Sequence, residues 1–481
     1  ANVITYRPRS AIRDAARALG YDAGQSDAWA KSIERRLTRK DQVDQAPKKR
    51  GQVDSFVQRW GVDEQVPERV VEIASRLQRL PRHLGIHSGG MVICDRPVID
   101  VCPVGWARME GRTVLQWDKD DCAEAGLVKF DLLGLGMLSA LRIAFTELTE
   151  RGILAANGQP LGLHNIDQED PRVYDLLCAA DTIGVFQVES RAQMATLPRL
   201  RPRTFYDIVI EVALIRPGPI QGGSVNPYIN RRRGREKVSY LHPLLENALK
   251  KTLGVPLFQE QLMQIAIDAA GFSPSQADQL RKAMGAKRSH ERMRELRGEL
   301  MDGMAAKGID APAREEIYAK LEAFADFGFP ESHSFSFAYL VYASAWLKVH
   351  YPENFYAGIL AAQPMGFYSP QTLVADARRH GVQILPVDVC YSQEHSSVEV
   401  TPWREVRRHS LVNADPCRAL RLGLSNIKGL KGAIHRILNA RTERQFDSVA
   451  DLARRARLGT TELEQLAASG ALQSLGMSRR E

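Results

Sequence analysis

The sequence predicts an α+β multidomain protein that is mostly helical, and three observations carry that expectation. At 481 residues the chain exceeds what one hydrophobic core holds, so three or four domains are expected. Short apolar runs of β type (Gly90 to Cys94, Val98 to Val101, Thr113 to Trp117 and Gly126 to Asp131) all precede residue 132 and read as one small sheet. From Met137 onward the apolar spacing is helical.

Each element follows from local chemistry. Ala1 to Tyr6 reads as the middle of a strand, so the chain looks like a piece of a longer polypeptide. Arg9 to Leu19 is amphipathic and helical, Ser32 to Lys40 is strongly basic, and Asp41 to Asp54, with Lys48-Lys49-Arg50, reads as a polar loop. A second helix runs from Pro67 to Leu80, where Pro81 stops it. Turn-rich connections are expected at Asn157 to Pro171 and Arg216 to Gly223. Ser273-Pro274 supplies a cap and a first turn for a helix reaching about Met284. In a helix over Pro312 to Phe324, Glu316 stands four residues before Lys320, a supportive spacing. Ser334 to Val349 is apolar nearly all round, which predicts a helix buried in the middle of its domain.

Composition narrows the function. Hydrophobic residues are 44% and charged residues 25%, and no run of about 18 apolar residues is present to span a membrane. No secretory signal is evident. The six cysteines lie far apart with no CxxC pair, so neither a cysteine zinc site nor a disulfide framework is encoded, and a reducing cytoplasm is expected. The net charge of +8 is concentrated: Arg191 to Lys237 holds ten Lys and Arg against three acids. Such a concentration points to a polyanion, nucleic acid above all, or else to a solvated basic face.

The motifs agree on phosphate. Val128-Lys129-Phe130-Asp131-Leu132-Leu133-Gly134-Leu135-Gly136 sets a cation and a carboxylate two residues apart at the end of an apolar strand. Lys129 and Asp131 then share one side while Val128, Phe130 and Leu132 line the other. That pair suits a magnesium-bound phosphate; the plainer reading is two charges on a solvent-facing strand edge. Asp118-Lys119-Asp120-Asp121, just upstream, looks like a turn. In His83-Leu84-Gly85-Ile86-His87-Ser88-Gly89-Gly90, the paired glycines permit close backbone approach, with His87 or Ser88 touching a phosphate, or they simply make a tight turn.

Further along, Thr182 to Arg191 reads as a strand entering a helix whose first turn offers Glu189 and Ser190, with Arg191 placed where a phosphate approaches. Arg216 sits in a rigid Pro217-Gly218-Pro219 turn that either pre-organises it for bidentate phosphate contact or merely reverses the chain. Arg281, Lys282, Lys287 and Arg288 end a helix, facing a phosphate or complementing the helix dipole. Ser332 or Ser334 is expected to cap the following apolar helix, whose free N–H groups form an anion site with His333 beside it. Ile427-Lys428-Gly429-Leu430-Lys431-Gly432 reads as a glycine hairpin between helices, holding a DNA phosphate through Lys428 and backbone N–H groups or serving as an ordinary interhelical turn. Leu463 to Gly476 echoes it loosely. Together these sites suggest triphosphate and polynucleotide handling.

In this order the stretches resemble the C family of bacterial replicative polymerases, the α subunits of DNA polymerase III, and most closely their error-prone branch. The resemblance runs through nearly the whole chain. Its most specific blocks are Lys129 to Leu135, Gly184 to Arg191, Arg216 to Pro219, Phe258-Gln259-Glu260-Gln261 and Ser332-His333-Ser334. It implies a polymerase-β-like palm at 1–8 and 86–135, a thumb at 9–85, helical fingers at 136–410 and tandem helix-hairpin-helix elements at 411–481. It also implies that Asp131 is the third metal-binding aspartate of the palm, that Lys129 contacts the incoming triphosphate, and that Arg281, Lys282 and His333 stand near the nucleotide. The family's first two catalytic aspartates and its N-terminal phosphatase-like domain are absent from these residues. One aspartate cannot hold two ions, so the segment alone is expected to be inactive. Replicative members carry Asn-Lys before Ser-His-Ser, whereas this chain has Pro330-Glu331, which favours the error-prone branch. Expected partners are Mg2+, primer-template DNA, deoxynucleoside triphosphates, a sliding clamp and mutasome accessory proteins, in damage-tolerant synthesis. The rival readings are a non-catalytic DNA-binding scaffold and a phosphohydrolase built around His333 and Asp131.

Overall fold

The computed structural model describes residues 1–40, 65–86, 89–107, 111–132, 134–215, 222–283, 293–325, 329–406 and 409–478. The expected loop at Asp41 to Asp54 and the residues His87, Ser88, Arg216 and Lys287 lie outside them. The chain divides into two compact units, Ala1–Leu133 and Gly134–Glu481.

In the first unit, β1 (Asn2–Thr5) pairs antiparallel with β2 (Pro81–Gly85). Between them lie α1 (Pro8–Ala18), α2 (Ala23–Lys40) and α3 (Glu68–Leu77). A proline at the first turn opens α1, and its buried stripe is Ala11, Ile12, Ala15 and Ala16, small enough for close packing on Val70, Val71 and Ala74 of α3. The helix before Pro81 ends at Leu77, and Pro81 instead begins β2, a strand-start position that its missing N–H permits.

The remaining strands are β3 (Gly90–Val92), β4 (Val104–Trp106), β5 (Thr113–Leu115) and β6 (Lys129–Asp131), with α4 (Lys119–Glu124) before the last. They form separate two-stranded ladders, β3 with β6 and β4 with β5, instead of the single sheet expected. Val98–Asp100 is a 3-10 turn and no strand, because Pro97 precedes it and its carbonyl accepts from the Asp100 N–H at 3.0 Å.

The second unit is mostly helical. Its largest core gathers α5 (Leu135–Glu150), α6 (Pro171–Cys178), α7 (Arg191–Leu200), α8 (Phe205–Leu214), α9 (Gly222–Arg232), α14 (Glu331–His350) and α15 (Pro352–Ala361). A side chain at Gly358 would meet the Ala140 carbonyl oxygen at 2.4 Å, so glycine is what lets α15 lie against α5. A second core joins α10 (Gln259–Ala270), α11 (Pro274–Ala283), α12 (Arg297–Ala306) and α13 (Ala311–Ala325). As expected, the Ser273 hydroxyl accepts from the Gln276 N–H at 3.3 Å at the start of α11, and Glu316 pairs with Lys320 at 3.2 Å on α13.

Helix α14 is buried nearly all round from Leu340 to Val349, as its composition predicts, but its first half exposes Ser332, Ser336 and Tyr339 on one face, and it begins at Glu331. Pro330 is its N-cap, so Ser332 and Ser334 lie inside the helix and neither caps it. After α16 (Pro370–Arg379), the strands β7 (Gln383–Leu385), β8 (Ser397–Val400) and β9 (Arg418–Arg421) form a sheet with β9 central, parallel to β7 and antiparallel to β8. The chain continues through α17 (Ile434–Glu443), α18 (Val449–Arg455) and α19 (Thr460–Ser469), which share a third core. Among the described residues, no helix is long and apolar enough to cross a membrane.

Candidate functional site

The strand carrying Lys129 and Asp131 meets the paired glycines. In the β3–β6 ladder Gly90 lies opposite Asp131 and Val92 opposite Lys129, and the Leu132 N–H donates to the Gly89 carbonyl at 2.7 Å. Two sequence motifs forty residues apart thus form one backbone unit, with the least bulky residue facing the aspartate. Val128 and Phe130 remain 60% and 42% exposed.

Lys129 is an exposed residue whose ammonium donates to the Lys119 carbonyl at 2.6 Å. That carbonyl belongs to the first turn of α4. Asp118, expected in a plain turn, is the N-cap: its Oδ1 accepts from the Asp120 and Asp121 N–H groups at 2.9 and 3.1 Å, while Asp121 returns a bond to the Asp118 N–H. The Asp-x-x-Asp spacing is a capping-box signature and is the signal that identifies this helix start.

In the second unit, Thr182 to Ser190 is a tight loop and no strand. Gly184 and Gln187 both take positive φ, which breaks strand geometry. The Glu189 carboxylate folds back to accept from the Gly184 N–H at 2.9 Å, and the Phe186 N–H donates to Ser344 Oγ of α14 at 3.1 Å. Burial pushes the Glu189 carboxyl up to about 7 despite the Gly184 hydrogen bond. Ser190 caps α7 through Gln193, so Arg191 stands exposed in the first turn, beside N–H groups that favour an anion.

The Phe258 to Gln261 block also meets the residues just ahead of Ser332. The Gln259 N–H donates to the Phe329 carbonyl at 3.0 Å, and the Glu331 N–H donates to the Glu260 carboxylate at 2.9 Å. Glu331 in turn accepts from the Tyr206 hydroxyl at 2.7 Å; burial, and then that bond, push the phenol up. Both the N–H and the carboxylate of Glu331, the first residue of α14, are therefore satisfied internally. Ser334 is fully buried and donates to the Val209 carbonyl across the helix pair, so it packs the core and presents nothing to an anion. His333 is half-buried between the rings of Phe329 and Phe337, at centroid distances of 5.2 and 4.3 Å.

The cations divide into paired and outward-facing sets. Arg281 and Lys282 are both exposed at the end of α11, and both bind Asp278, at 2.8 and 2.9 Å. Within the basic stretch, Arg203 binds Asp175, Arg231 binds Glu236 and Arg232 binds Asp207. Arg233 is crowded instead: nearby Arg201 foremost, and also Arg235, push its guanidinium down from its ordinary value. At the chain's far end, Lys428 and Lys431 are exposed while Ile427 and Leu430 are buried, and Gly429 takes φ +86° between them. The alternation turns both ammonium groups outward from one tight turn ahead of α17. The looser echo at Leu463 to Gly476 lies half inside α19 and half in the turn and 3-10 segment after it; the connection between α18 and α19 is Ala456 to Gly459.

Comparison with known proteins assigns these regions. Residues 1–134 match the bacterial DNA polymerase III alpha NTPase domain, residues 137–308 the bacterial DNA polymerase III alpha subunit finger domain, and residues 381–481 a helix-hairpin-helix motif. The chain is 55% identical over 484 aligned residues to the error-prone DNA polymerase of Mycobacterium bovis, covering all of this chain and 41% of that protein. The same-named protein of Nocardia farcinica is 55% identical over 99% of this chain and 38% of its own length. That of Corynebacterium glutamicum is 54% identical over the whole chain and 41% of its own length. The chain spans about two fifths of the length of these curated relatives.

Proposed function

We infer that this chain, which belongs to the family of bacterial DNA polymerase III α subunits, is part of an error-prone DNA-directed DNA polymerase that extends primer 3′ ends in damage-tolerant synthesis in the cytoplasm. The observation that carries the reading is 55% identity along the entire chain to polymerases of that name. In this reading the chain divides into palm (1–8 and 86–135), thumb (9–85), fingers (136–410) and tandem helix-hairpin-helix (411–481), with primer-template DNA and deoxynucleoside triphosphates as substrates.

Asp131 offers an oxygen ligand of the hard type that Mg2+ takes, and its strand is held by pairing to Gly90. It fits as one ligand among several; two ions need more carboxylates, which are expected from outside these 481 residues. When bound there, Mg2+ supplies charge neutralisation on the phosphates and activation of the primer hydroxyl. Lys129 contacts the triphosphate after its ammonium leaves the Lys119 carbonyl, a short swing for an exposed side chain. Arg191, Arg216, Arg281, Lys282 and Lys287 are the cations this reading assigns to nucleotide or DNA phosphates, and Lys428 is the one it assigns to the DNA backbone, without reading sequence. His333 is assigned to the nucleotide, standing half-buried between Phe329 and Phe337 at the start of α14. A sliding clamp and mutasome helpers belong to the same reading.

Primer extension tests it. The segment alone should bind primer-template and fail to extend it. The longer polypeptide with its acidic pair should extend, and Asp131→Asn should abolish extension while leaving DNA affinity nearly intact. Extension at wild-type rate by that variant would remove Asp131 from the metal site.

A further inference from the structure

The loop from Thr182 is entered through a polar cluster that no sequence motif announces. Asp181, His380 and His409 each bring one ligand atom to within 4.8 Å of the others. They come from three distant stretches: the connection after α6, the residue after α16, and the approach to β9. Asp181 Oδ2 lies 2.6 Å from His380 Nε2 and 4.0 Å from His409 Nε2. The two imidazoles stand edge to face, with centroids 4.5 Å apart.

The surroundings orient this set. His380 Nδ1 is 2.8 Å from the Asp376 carbonyl oxygen, which only accepts, so Nδ1 carries a proton and Nε2 is turned to Asp181. A ring nitrogen donating to a backbone carbonyl is the arrangement that fixes metal-ligating histidines. The other Asp181 oxygen, Oδ1, accepts from Lys348 Nζ at 3.2 Å, leaving Oδ2 for the cluster. Lys348 is fully buried and also donates to Asp376 Oδ2 at 3.0 Å and to the carbonyls of Asp181 and Ile183 at 3.1 Å. Its charge is thereby matched by Asp376, whose other oxygen binds Arg379 at the solvent edge. The His380 side chain is 3% exposed, Asp181 22% and His409 30%, so the cluster is closed at His380 and reaches solvent most at His409.

We propose that Asp181, His380 and His409 form a site for a divalent first-row transition ion of the zinc type, with solvent completing its coordination on the His409 side. Two imidazoles and a carboxylate suit such an ion and do not suit Mg2+, so this site is separate in chemistry from any at Asp131. Binding replaces the proton held between His380 Nε2 and Asp181 Oδ2; that proton leaves to solvent and the Nε2 lone pair goes to the metal. Ligand bonds of about 2.0–2.1 Å set neighbouring ligand atoms about 3.3 Å apart in a tetrahedron. The His380–Asp181 separation of 2.6 Å therefore opens slightly and the His409–Asp181 separation of 4.0 Å closes by a similar amount. The ion staples the Thr182 loop, the end of α16 and the approach to β9 to one another.

The test titrates Zn2+ into the chelator-stripped 481-residue chain by calorimetry in two buffers of different ionisation enthalpy, with melting curves and the visible spectrum of the Co2+-loaded protein. The expected result is one ion per chain, proton release on binding, a raised Tm, and a cobalt spectrum of nitrogen and oxygen coordination. His409→Ala, at the exposed rim, should weaken binding at least about tenfold and erase the Tm rise while keeping the metal-free Tm. Asp181→Asn should weaken binding likewise. No Tm shift with Zn2+, no cobalt spectrum in the wild-type chain, or binding unchanged in a folded His409→Ala would each overturn the site and leave a network held by protons alone.

Discussion

The Thr182–Arg191 loop and the Ile427–Gly432 hairpin are both glycine turns that lead into helices, yet they spend their polar groups in opposite directions. The first folds its amides and carboxylate inward: Gly184 donates to Glu189, Phe186 to Ser344, and Lys348 reaches back to the Ile183 carbonyl. The second buries only Ile427 and Leu430 and sends Lys428 and Lys431 into solvent. The difference lies in what stands behind each turn. Buried polar atoms must find partners inside the protein, so a loop pressed against α14 becomes a fastening. A hairpin seated on two aliphatic side chains keeps its cations available for a polyanion. A glycine motif beside a cation is thus no sign of a phosphate site until its backing is known.

Mutations separate the two regions most sharply at the fastening. Lys348→Met should leave Asp181 and Asp376 facing each other without their shared cation and cost about 3–5 kcal/mol, measured by urea unfolding. Gly184→Ala should follow at about 2–4 kcal/mol. Its φ of +79° penalises any β-carbon, and that carbon would meet the Phe355 ring at 3.0 Å. A loss under about 1 kcal/mol for either would break the contrast with the hairpin.

Much of this organisation is readable from sequence where the signal is local. The Ser273 cap, the Glu316–Lys320 pair and the outward cations of the hairpin all follow from spacings of five residues or fewer. Strand pairing is less legible. Runs of three residues carry too little alternation to fix a partner, so one expected sheet resolves into separate ladders and the β7–β9–β8 sheet goes unannounced. The start of α14 is misread because Ser332 and Ser334 look like caps, whereas Pro330 supplies the boundary and Tyr206 and Glu260 satisfy Glu331 from other helices. Asp181, His380 and His409 share no spacing at all; only the fold brings them together.

A pH series sharpens the same comparison at a smaller scale. Glu189 titrates near 7 in the fold against 4.5 ordinarily, because it is buried. Its folded pKa is raised, so its contribution is fully present below the ordinary value and is lost as pH rises through about 7. Between about pH 5 and about pH 8 the wild type should lose about 2 kcal/mol that Glu189→Gln does not lose, since the amide oxygen still accepts from Gly184. Parallel stability curves for the two proteins would mean that water reaches the carboxylate. In the hairpin, Gly429→Ala should cost only about 1 kcal/mol. Its φ of +86° carries the same backbone penalty as Gly184, but the added carbon would meet nothing nearer than Gln465 Cγ at 3.8 Å.

The smallest effect on stability is expected where the effect on binding is cleanest. Lys428→Ala with Lys431→Ala removes two exposed cations that neither fill the core nor break the turn, so unfolding should change by no more than about 0.5 kcal/mol. On the proposed reading the polyanion is DNA, and each phosphate contact releases condensed counterions. Losing two contacts should lower the slope of log affinity against log salt by about 2, equally for unrelated sequences, because phosphates carry no base information. Fluorescence anisotropy with two unrelated primer-templates across a salt series measures both quantities. If the slope stays unchanged, the lysines face solvent without touching DNA. If melting falls as far as it does in Gly184→Ala, the hairpin is itself a fastening and the contrast with the Thr182 loop disappears.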